Sequence, residues 1–212
     1  RDMRALPGHM GIGHVRYPTT GSSTSPAEAQ PFYVNSPFGI VLAHNGNLTN
    51  AGKLREKLAA NGSVFQSTID SEVIVNLIAR YGQPDIEESL MKAMIDLKGT
   101  YSLVVMTEDK LLGVRDPYGN RPLCLGKLDG NYVIASESCA LDTINATYIR
   151  DVDPGEIIIV DKNGLRTIRD NVRNRADARL CIFEFIYFAR SDSVIEDMSV
   201  HEARKNTGAI LA

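Results

Sequence analysis

The chain has 212 residues, of which 43% are hydrophobic and 23% charged, with a formal net charge of −3. Such a composition predicts one globular unit with a sizeable core. Lysines and arginines are scattered along the chain, which is not the charge pattern of a nucleic-acid-binding protein or of a protein that binds anionic membranes. No apolar run reaches the length of a membrane-spanning helix.

Three cysteines, Cys124, Cys139 and Cys181, are widely spaced and form no Cys-x-x-Cys pair. An odd number without such a pair argues against a disulfide framework and against a zinc site within the chain. We therefore expect a reducing compartment and predict a cytoplasmic protein. Residue 1 is Arg instead of Met, so we also expect the chain to be truncated at its N-terminus.

The predicted elements begin with strands and continue with helices. Residues 11–17 predict a strand, a loop rich in Ser, Thr, Pro and Gly follows, and the apolar residues 38–43 predict a buried strand. Helical spacing of apolar residues then predicts helices over 50–61 and 70–81, and a third between Pro84 and Gly99. Glycines follow the first two helices, as is common at helix C-termini.

The second half of the chain predicts an antiparallel meander. Short apolar or β-branched runs are separated by tight-turn sequences, and the predicted strands are 100–107, 111–115, 122–127, 132–136, 156–160 and 165–169. Strands, then helices, then more strands is the order of an α+β fold.

The last part of the chain predicts three further segments. The polar residues 171–179 predict a connector, and the apolar residues 180–188 predict a segment buried on both faces. Residues 200–212 predict a helix that reaches the chain end without a cap, so we expect truncation there as well.

Asn45 and Gly46 follow the predicted strand 38–43, where a strand meets a loop. At such a junction an amide NH2 and an unhindered backbone N–H can point at one position, as a developing oxyanion requires. Taken alone, Asn-Gly is also a common tight-turn dipeptide, so the turn interpretation stays open at this point.

Two charged residues complete a candidate site for binding an amino acid. Arg16, on the first predicted strand, can bind a carboxylate with two parallel hydrogen bonds, and Asp70, at the start of a predicted helix, can accept from an ammonium group. Each has an ordinary alternative: Arg16 as one half of a surface ion pair, and Asp70 as an acid that favours the helix dipole.

Longer stretches of sequence resemble a known family. Residues 13–21, 42–48 and 68–72 resemble the class II glutamine amidotransferases in Gly-His-Val-Arg-Tyr-Pro-Thr-Thr-Gly, Leu-Ala-His-Asn-Gly-Asn-Leu and Thr-Ile-Asp-Ser-Glu. Residues 115–123, 135–142 and 183–190 narrow the resemblance to the glutamine phosphoribosylpyrophosphate amidotransferases, through Arg-Asp-Pro-Tyr-Gly-Asn-Arg-Pro-Leu, Ala-Ser-Glu-Ser-Cys-Ala-Leu-Asp and Phe-Glu-Phe-Ile-Tyr-Phe-Ala-Arg. Several long matches in order are more specific than any single motif.

The resemblance implies a fold and a role for each site residue. The fold is a four-layer αββα sandwich of the N-terminal-nucleophile hydrolase type, incomplete at its N-terminus. Arg16 and Asp70 bind the head group of glutamine, and the Asn45 side chain and Gly46 N–H form the oxyanion hole. The nucleophile is the first cysteine of the mature protein, with its own amino group as base. Residue 1 is Arg here, so we expect no glutaminase activity from a chain that begins at this residue.

The resemblance also implies partners outside this chain. Residues 1–179 correspond to the glutaminase domain, and 180–212 to a junction leading into a phosphoribosyltransferase domain that uses phosphoribosylpyrophosphate with Mg²⁺ in the first step of purine synthesis. No cofactor is expected within the chain itself. Cys181 falls where some members ligate a 4Fe-4S cluster, although an inert buried cysteine is an equal alternative. The full-length protein is expected to be a homo-oligomer.

Two other interpretations remain open. Another class II amidotransferase, such as an aminosugar synthase, shares the general pattern but not the later segments. Alternatively, the chain is a regulatory module without a nucleophile, which binds glutamine and does not cleave it.

Overall fold

The fold of the protein is described from a computed structural model, which covers residues 7–15, 26–82, 84–169 and 178–212. Its helices are α1 (Ala51–Ala60), α2 (Asp70–Tyr81), α3 (Ile86–Asp96), α4 (Ser138–Thr143) and α5 (Val200–Leu211). Its strands are β1 (Phe32–Val34), β2 (Ile40–Leu48), β3 (Gly99–Met106), β4 (Leu111–Arg115), β5 (Cys124–Leu128), β6 (Asn131–Ala135), β7 (Thr147–Asp151), β8 (Glu156–Asp161), β9 (Gly164–Arg169), β10 (Val194–Ile195) and β11 (Met198–Ser199).

A six-stranded antiparallel sheet forms the centre of the fold. Its strand order is β1-β2-β3-β4-β8-β9, and β2 pairs with β3 from Val41 opposite Met106 to Leu48 opposite Gly99. The buried faces of α2 and α3 share one apolar cluster with this sheet, whose fully buried members include Val73, Leu90 and Leu103. This cluster fixes the start of α2 against the end of β2.

A second, three-stranded sheet has the order β6-β5-β7. Leu123, Leu125 and Val152 pack with Ile158 of the large sheet, so an apolar layer separates the two sheets. A smaller cluster joins Leu141 of α4 to Cys124 of β5. The mixed helix-and-sheet composition agrees with the predicted α+β class.

The helices are the elements that the sequence predicted best. Helix α2 has the predicted bounds, with acids in its first turn and Gly82 in the left-handed conformation at its end (φ 52°). Helices α1, α3 and α5 are confirmed within a few residues. In the described part of the chain, no helix is long and apolar enough to span a membrane.

Three predictions about strands were wrong. The predicted meander is divided between two sheets, because β5, β6 and β7 pair with one another. Residues 11–15 of the first predicted strand have no strand conformation, and the rest of that prediction lies outside the described residues. The strand predicted over 38–43 continues to Leu48, because β3 pairs with it along its whole length.

The segment predicted to be buried on both faces is instead largely exposed. Residues Glu184–Phe188 form one π-helical turn in which only Glu184 is buried, while Ile182 and Tyr187 are 62% and 71% exposed. Arg204 of α5 donates to the carbonyl oxygens of Phe185 and Ala189, at 2.7 Å each. The junction therefore folds as a helical turn held by α5. Most of the predicted connector, 171–179, lies outside the described residues.

Candidate functional site

Strand β2 carries Asn45 and Gly46 inside the sheet instead of at a turn. Asn45 lies opposite Ser102 of β3, and Gly46 lies opposite Tyr101. Both residues are half-buried. The tight-turn interpretation of Asn-Gly is therefore wrong, because a continuous ladder to β3 holds the dipeptide in extended backbone.

Gly46 occupies a position that has no room for a side chain. Its φ is 154°, and a Cβ atom built there would lie 2.1 Å from the carbonyl oxygen of Thr100 and 2.8 Å from Nε2 of His44. The first of these atoms belongs to the backbone of β3 and cannot move without breaking the ladder. Glycine is therefore required at this point by close approach of the two strands.

The Asn45 side chain is oriented by Arg121. Nε and Nη2 of Arg121 donate to Oδ1 of Asn45, at 3.2 and 2.9 Å. Nη1 of the same guanidinium donates to Oε1 of Glu184 at 2.6 Å, and its Cζ lies 4.8 Å from the centroid of the Phe188 ring. The oxygen side of the Asn45 amide is thus occupied.

The loop between β4 and β5 delivers Arg121 to this position. Two carboxylate oxygens of Asp116 accept from the backbone N–H groups of Tyr118, Asn120 and Tyr101, at 2.9, 3.0 and 3.3 Å. The buried Arg115 guanidinium donates to the carbonyl oxygen of Arg121 through Nε at 2.9 Å. Because these bonds close the loop on itself, Arg121 is presented from a fixed backbone.

Asp70 is attached to the same strand as Asn45. Its Oδ2 accepts from the backbone N–H of Leu48 at 2.8 Å, and its side chain is 14% exposed. Arg55 of α1 donates to the carbonyl oxygens of Ser67 and Ile69, which fixes the chain just before Asp70. The structure thus places a carboxylate beside the strand that carries the candidate oxyanion donors.

His44, the residue before Asn45, is buried, and its ring lies beside Asp70. Its Nδ1 lies 3.1 Å from Oγ of Ser71 and 3.7 Å from Oδ1 of Asp70. Burial lowers the pKa of His44 below its usual value, and this outweighs the nearby Asp70 carboxylate, which acts in the opposite direction. Its burial, its contact with Ser71 and its lowered pKa are those of a packed structural histidine.

The lowered pKa of His44 predicts a loss of stability on mild acidification. The unfolded chain binds a proton at His44 below about pH 6.5 while the folded chain resists it, so the free energy of unfolding decreases as pH falls from there. The slope from this group approaches about 1.4 kcal/mol per pH unit. Urea unfolding between pH 8 and pH 5.5 measures it. We expect His44→Gln to have a flatter profile than the parent protein, and His201→Gln, at an exposed position of α5, to keep the parent profile.

The sequence also singled out Arg16 and the three cysteines. Arg16 lies outside the described residues. Cys124 and Cys139 are buried, and burial raises the pKa of Cys124 to about 12 and that of Cys139 above its usual value. Burial therefore disfavours the reactive thiolate form of both cysteines. Cys181 is half-buried, and no group of three His, Cys, Asp or Glu side chains in the described ranges could hold a metal.

Two residues that contact the site were not identified from the sequence. Arg121 directly precedes the predicted strand 122–127, and Glu184 is the one charged residue within the apolar segment 180–188. An acid within such a run is a usable signal, because a buried carboxylate requires a partner. Its partner could not be inferred, since Arg121 is 63 residues away in sequence.

Fold and site together define the class of protein. A family model described as a glutamine amidotransferase domain matches residues 15–143, more than half of the chain, and the chain belongs to this family. The matched range contains Asn45, Gly46, Asp70 and Arg121.

Relatives that match the whole of the chain carry a more specific name. Amidophosphoribosyltransferase of Archaeoglobus fulgidus is 43% identical over 100% of this chain and 46% of its own length. The Bacillus subtilis protein of that name is 41% identical over 100% of this chain and 44% of its own. The structure of B. subtilis glutamine phosphoribosylpyrophosphate amidotransferase, in complex with ADP and GMP, covers 93% of this chain and 42% of that chain, at 40% identity and a TM-score of 0.85. The chain thus spans less than half the length of these relatives.

Proposed function

We propose that the chain is the glutaminase domain of an amidophosphoribosyltransferase. In that protein it would release ammonia from glutamine, for synthesis of 5-phosphoribosylamine from phosphoribosylpyrophosphate. The observation that carries the proposal is the placement of Asn45, Gly46 and Asp70 on or against one strand. Asp70 is anchored to Leu48, only three residues beyond Asn45, so one ligand can reach both.

The chemistry required is acyl transfer through a tetrahedral intermediate. A thiolate attacks the side-chain carbonyl carbon of glutamine, and the carbonyl electron pair moves onto oxygen. The Asn45 NH2 and the Gly46 N–H stabilise that negative charge. When the carbonyl re-forms, the C–N bond breaks, and the amino group of the nucleophilic cysteine gives the leaving nitrogen the proton it took from the thiol, so that ammonia departs. Water then hydrolyses the glutamyl thioester. Asp70 accepts from the α-ammonium group, and Arg16 binds the α-carboxylate.

Replacement of Asp70 tests the head-group contact. Asp70→Asn keeps an acceptor for the Leu48 N–H but loses the charge that binds an ammonium group. Hydrogen bonds to charged groups contribute about 1.5–3 kcal/mol, so we expect KM for glutamine to rise roughly 10- to 100-fold with kcat much less affected. Steady-state kinetics of glutamate release by the full-length gene product measures both constants. Asp109→Asn, in a turn between β3 and β4, serves as the control and should leave KM unchanged; an unchanged KM in Asp70→Asn itself would contradict the assignment.

Several features of the longer protein belong to the same proposal. We propose that the two facing sheets with their outer helices are an αββα sandwich, and that 1–179 and 180–212 are the glutaminase domain and its junction. Phosphoribosylpyrophosphate, Mg²⁺ and a cytoplasmic homo-oligomer are proposed for the full-length protein. Cys181 can supply one thiolate to a 4Fe-4S cluster, which needs three more ligands.

Two assays of the full-length gene product distinguish this proposal from its alternatives. We expect glutamine-dependent release of glutamate, and incorporation of the released ammonia into phosphoribosylpyrophosphate. Glutamine hydrolysis with transfer of the ammonia only to a sugar phosphate other than phosphoribosylpyrophosphate would instead identify an aminosugar synthase. Calorimetric binding of glutamine without any hydrolysis would identify a regulatory module.

A further inference from the structure

The orientation of the Asn45 amide follows from the chemistry of its partner. A guanidinium carries only N–H donors, so the atom of Asn45 that faces Arg121 must be the oxygen Oδ1. Both contacts, 3.2 Å from Nε and 2.9 Å from Nη2, go to that oxygen. The NH2 group therefore faces the opposite direction. A rotated amide would place N–H against N–H and would be disfavoured.

The guanidinium that imposes this orientation is itself fixed on several sides. Its third nitrogen, Nη1, donates to Oε1 of Glu184 at 2.6 Å, and the ring of Phe188 lies against it. The backbone carbonyl oxygen of Arg121 accepts from Nε of Arg115 at 2.9 Å and from Oγ of Ser102 at 3.1 Å. Neither the side chain nor the backbone of Arg121 can move without the loss of these bonds.

Glu184 makes the arrangement specific for arginine. Its side chain is 3% exposed and that of Arg121 is 20% exposed, so the pair is largely removed from water. Burial raises the pKa of Glu184, and the Arg121 charge acts against this rise. A lysine has one compact ammonium group and cannot span Asn45 and Glu184 with a planar fork.

We propose that Arg121 is a positioning residue, which holds the Asn45 NH2 toward the oxyanion of the substrate while Glu184 fixes the guanidinium. This inference rests on the proposed glutaminase function. It assigns a role in the geometry of acyl transfer to the loop between β4 and β5, whose Arg121 contacts Asn45, and to the turn Glu184–Phe188, whose first and last residues contact Arg121.

A pair of substitutions tests the proposal without leaving a buried charge. Arg121→Met leaves Glu184 unpaired, so it is combined with Glu184→Gln in the full-length gene product. We expect kcat for glutamine hydrolysis to fall about 10- to 100-fold, as for a displaced catalytic group, with KM for glutamine within about twofold of the parent. Arg121→Lys alone should be intermediate, because one donor to Asn45 is retained. The matched control is Arg150→Met with Glu156→Gln, since the hydrogen bonds of Arg150 go to Asp151 and Glu156; kcat should then be unchanged.

A double-mutant cycle separates positioning from a general structural effect. If Arg121 acts through Asn45, the same Arg121 and Glu184 substitutions should change kcat less than about twofold in an Asn45→Ala background. An equal loss of kcat in both backgrounds would overturn the proposal, and so would an unchanged kcat when the Arg121 and Glu184 substitutions are made in the parent protein, which retains Asn45.

A readout without turnover keeps the proposal testable if the proposed function fails. Failure of the parent protein to hydrolyse glutamine would contradict the function, whereas the side-chain amide resonances of Asn45 report the orientation directly. We expect the Asn45 carbonyl and NH2 signals to shift in the Arg121→Met/Glu184→Gln protein. The signals of Asn50, whose amide contacts Asp96 and Lys98, should stay in place. Unshifted Asn45 signals would overturn the positioning role.

Discussion

Gly46→Ala should unfold the end of β2 and abolish glutamine hydrolysis by the full-length gene product. The added Cβ would lie 2.1 Å from the carbonyl oxygen of Thr100, and the φ of 154° is a conformation that alanine rarely adopts. The clash involves backbone of β3, where Thr100 pairs with Asn47 of β2. Overpacking and backbone strain together predict a loss of about 3 kcal/mol or more in the free energy of unfolding.

A second glycine provides a matched control for this prediction. Gly52 lies in α1, and a Cβ built there meets nothing within 4 Å. Gly52→Ala should be neutral or stabilise by up to about 1 kcal/mol, because alanine is favoured over glycine in a helix. Urea denaturation of both variants gives the comparison. Equal stability of Gly46→Ala and Gly52→Ala would show that the two strands do not approach as closely as described.

Asn45→Asp should remove most of the catalytic rate while leaving the fold intact. Aspartate retains the oxygen that accepts from Arg121, so the contacts at 2.9 and 3.2 Å can persist. It replaces the NH2 donor with a negative group beside a developing oxyanion. Loss of one oxyanion donor lowers kcat about 10²- to 10³-fold, and we expect at least that decrease. KM for glutamine should change little, because the proposal assigns the head group to Asp70 and not to Asn45.

Kinetics of the full-length gene product, together with a thermal unfolding curve, measure this prediction. Asn47→Asp introduces the same charge two residues later, where the side chain is exposed. The Asn47→Asp protein should keep kcat within about threefold of the parent value, since Asn47 is not assigned a contact with a substrate oxygen. An Asn45→Asp protein with the kcat of the control would exclude Asn45 from the oxyanion hole.

The sequence predicted the helices because their signals are local. Helix α2 combines acids in its first turn, a buried apolar face and a glycine after its end, and each is visible within about twelve residues. Asn45, Gly46 and Asp70 stand at the boundaries of predicted elements, which is also a local signal. The sequence gives no distance between them, and the hydrogen bond from the Leu48 N–H to Asp70 brings Asp70 to the strand that carries Asn45 and Gly46.

The features of the fold and site that the sequence did not predict depend on contacts between residues that are far apart in the chain. Strand β2 continues through Asn45 and Gly46 because β3, more than fifty residues later, pairs with it. The apolar segment before α5 predicted a core element, but its helical turn buries Glu184 and exposes Tyr187. Arg121 gained its role from two partners, 76 residues before it and 63 residues after it. The spacing of apolar residues along the sequence contains no information on which distant residues contact one another.

A crystal structure of the protein with L-glutamate, the product of the proposed reaction, would show directly whether β2 forms the glutamine site. We expect the α-ammonium group at about 3 Å from the Asp70 carboxylate and a γ-carboxylate oxygen at about 3 Å from both Nδ2 of Asn45 and the Gly46 nitrogen. Oδ1 of Asn45 should remain on Arg121. Glutamate bound away from β2, or an Asn45 amide with its oxygen turned toward the ligand, would contradict the proposed site.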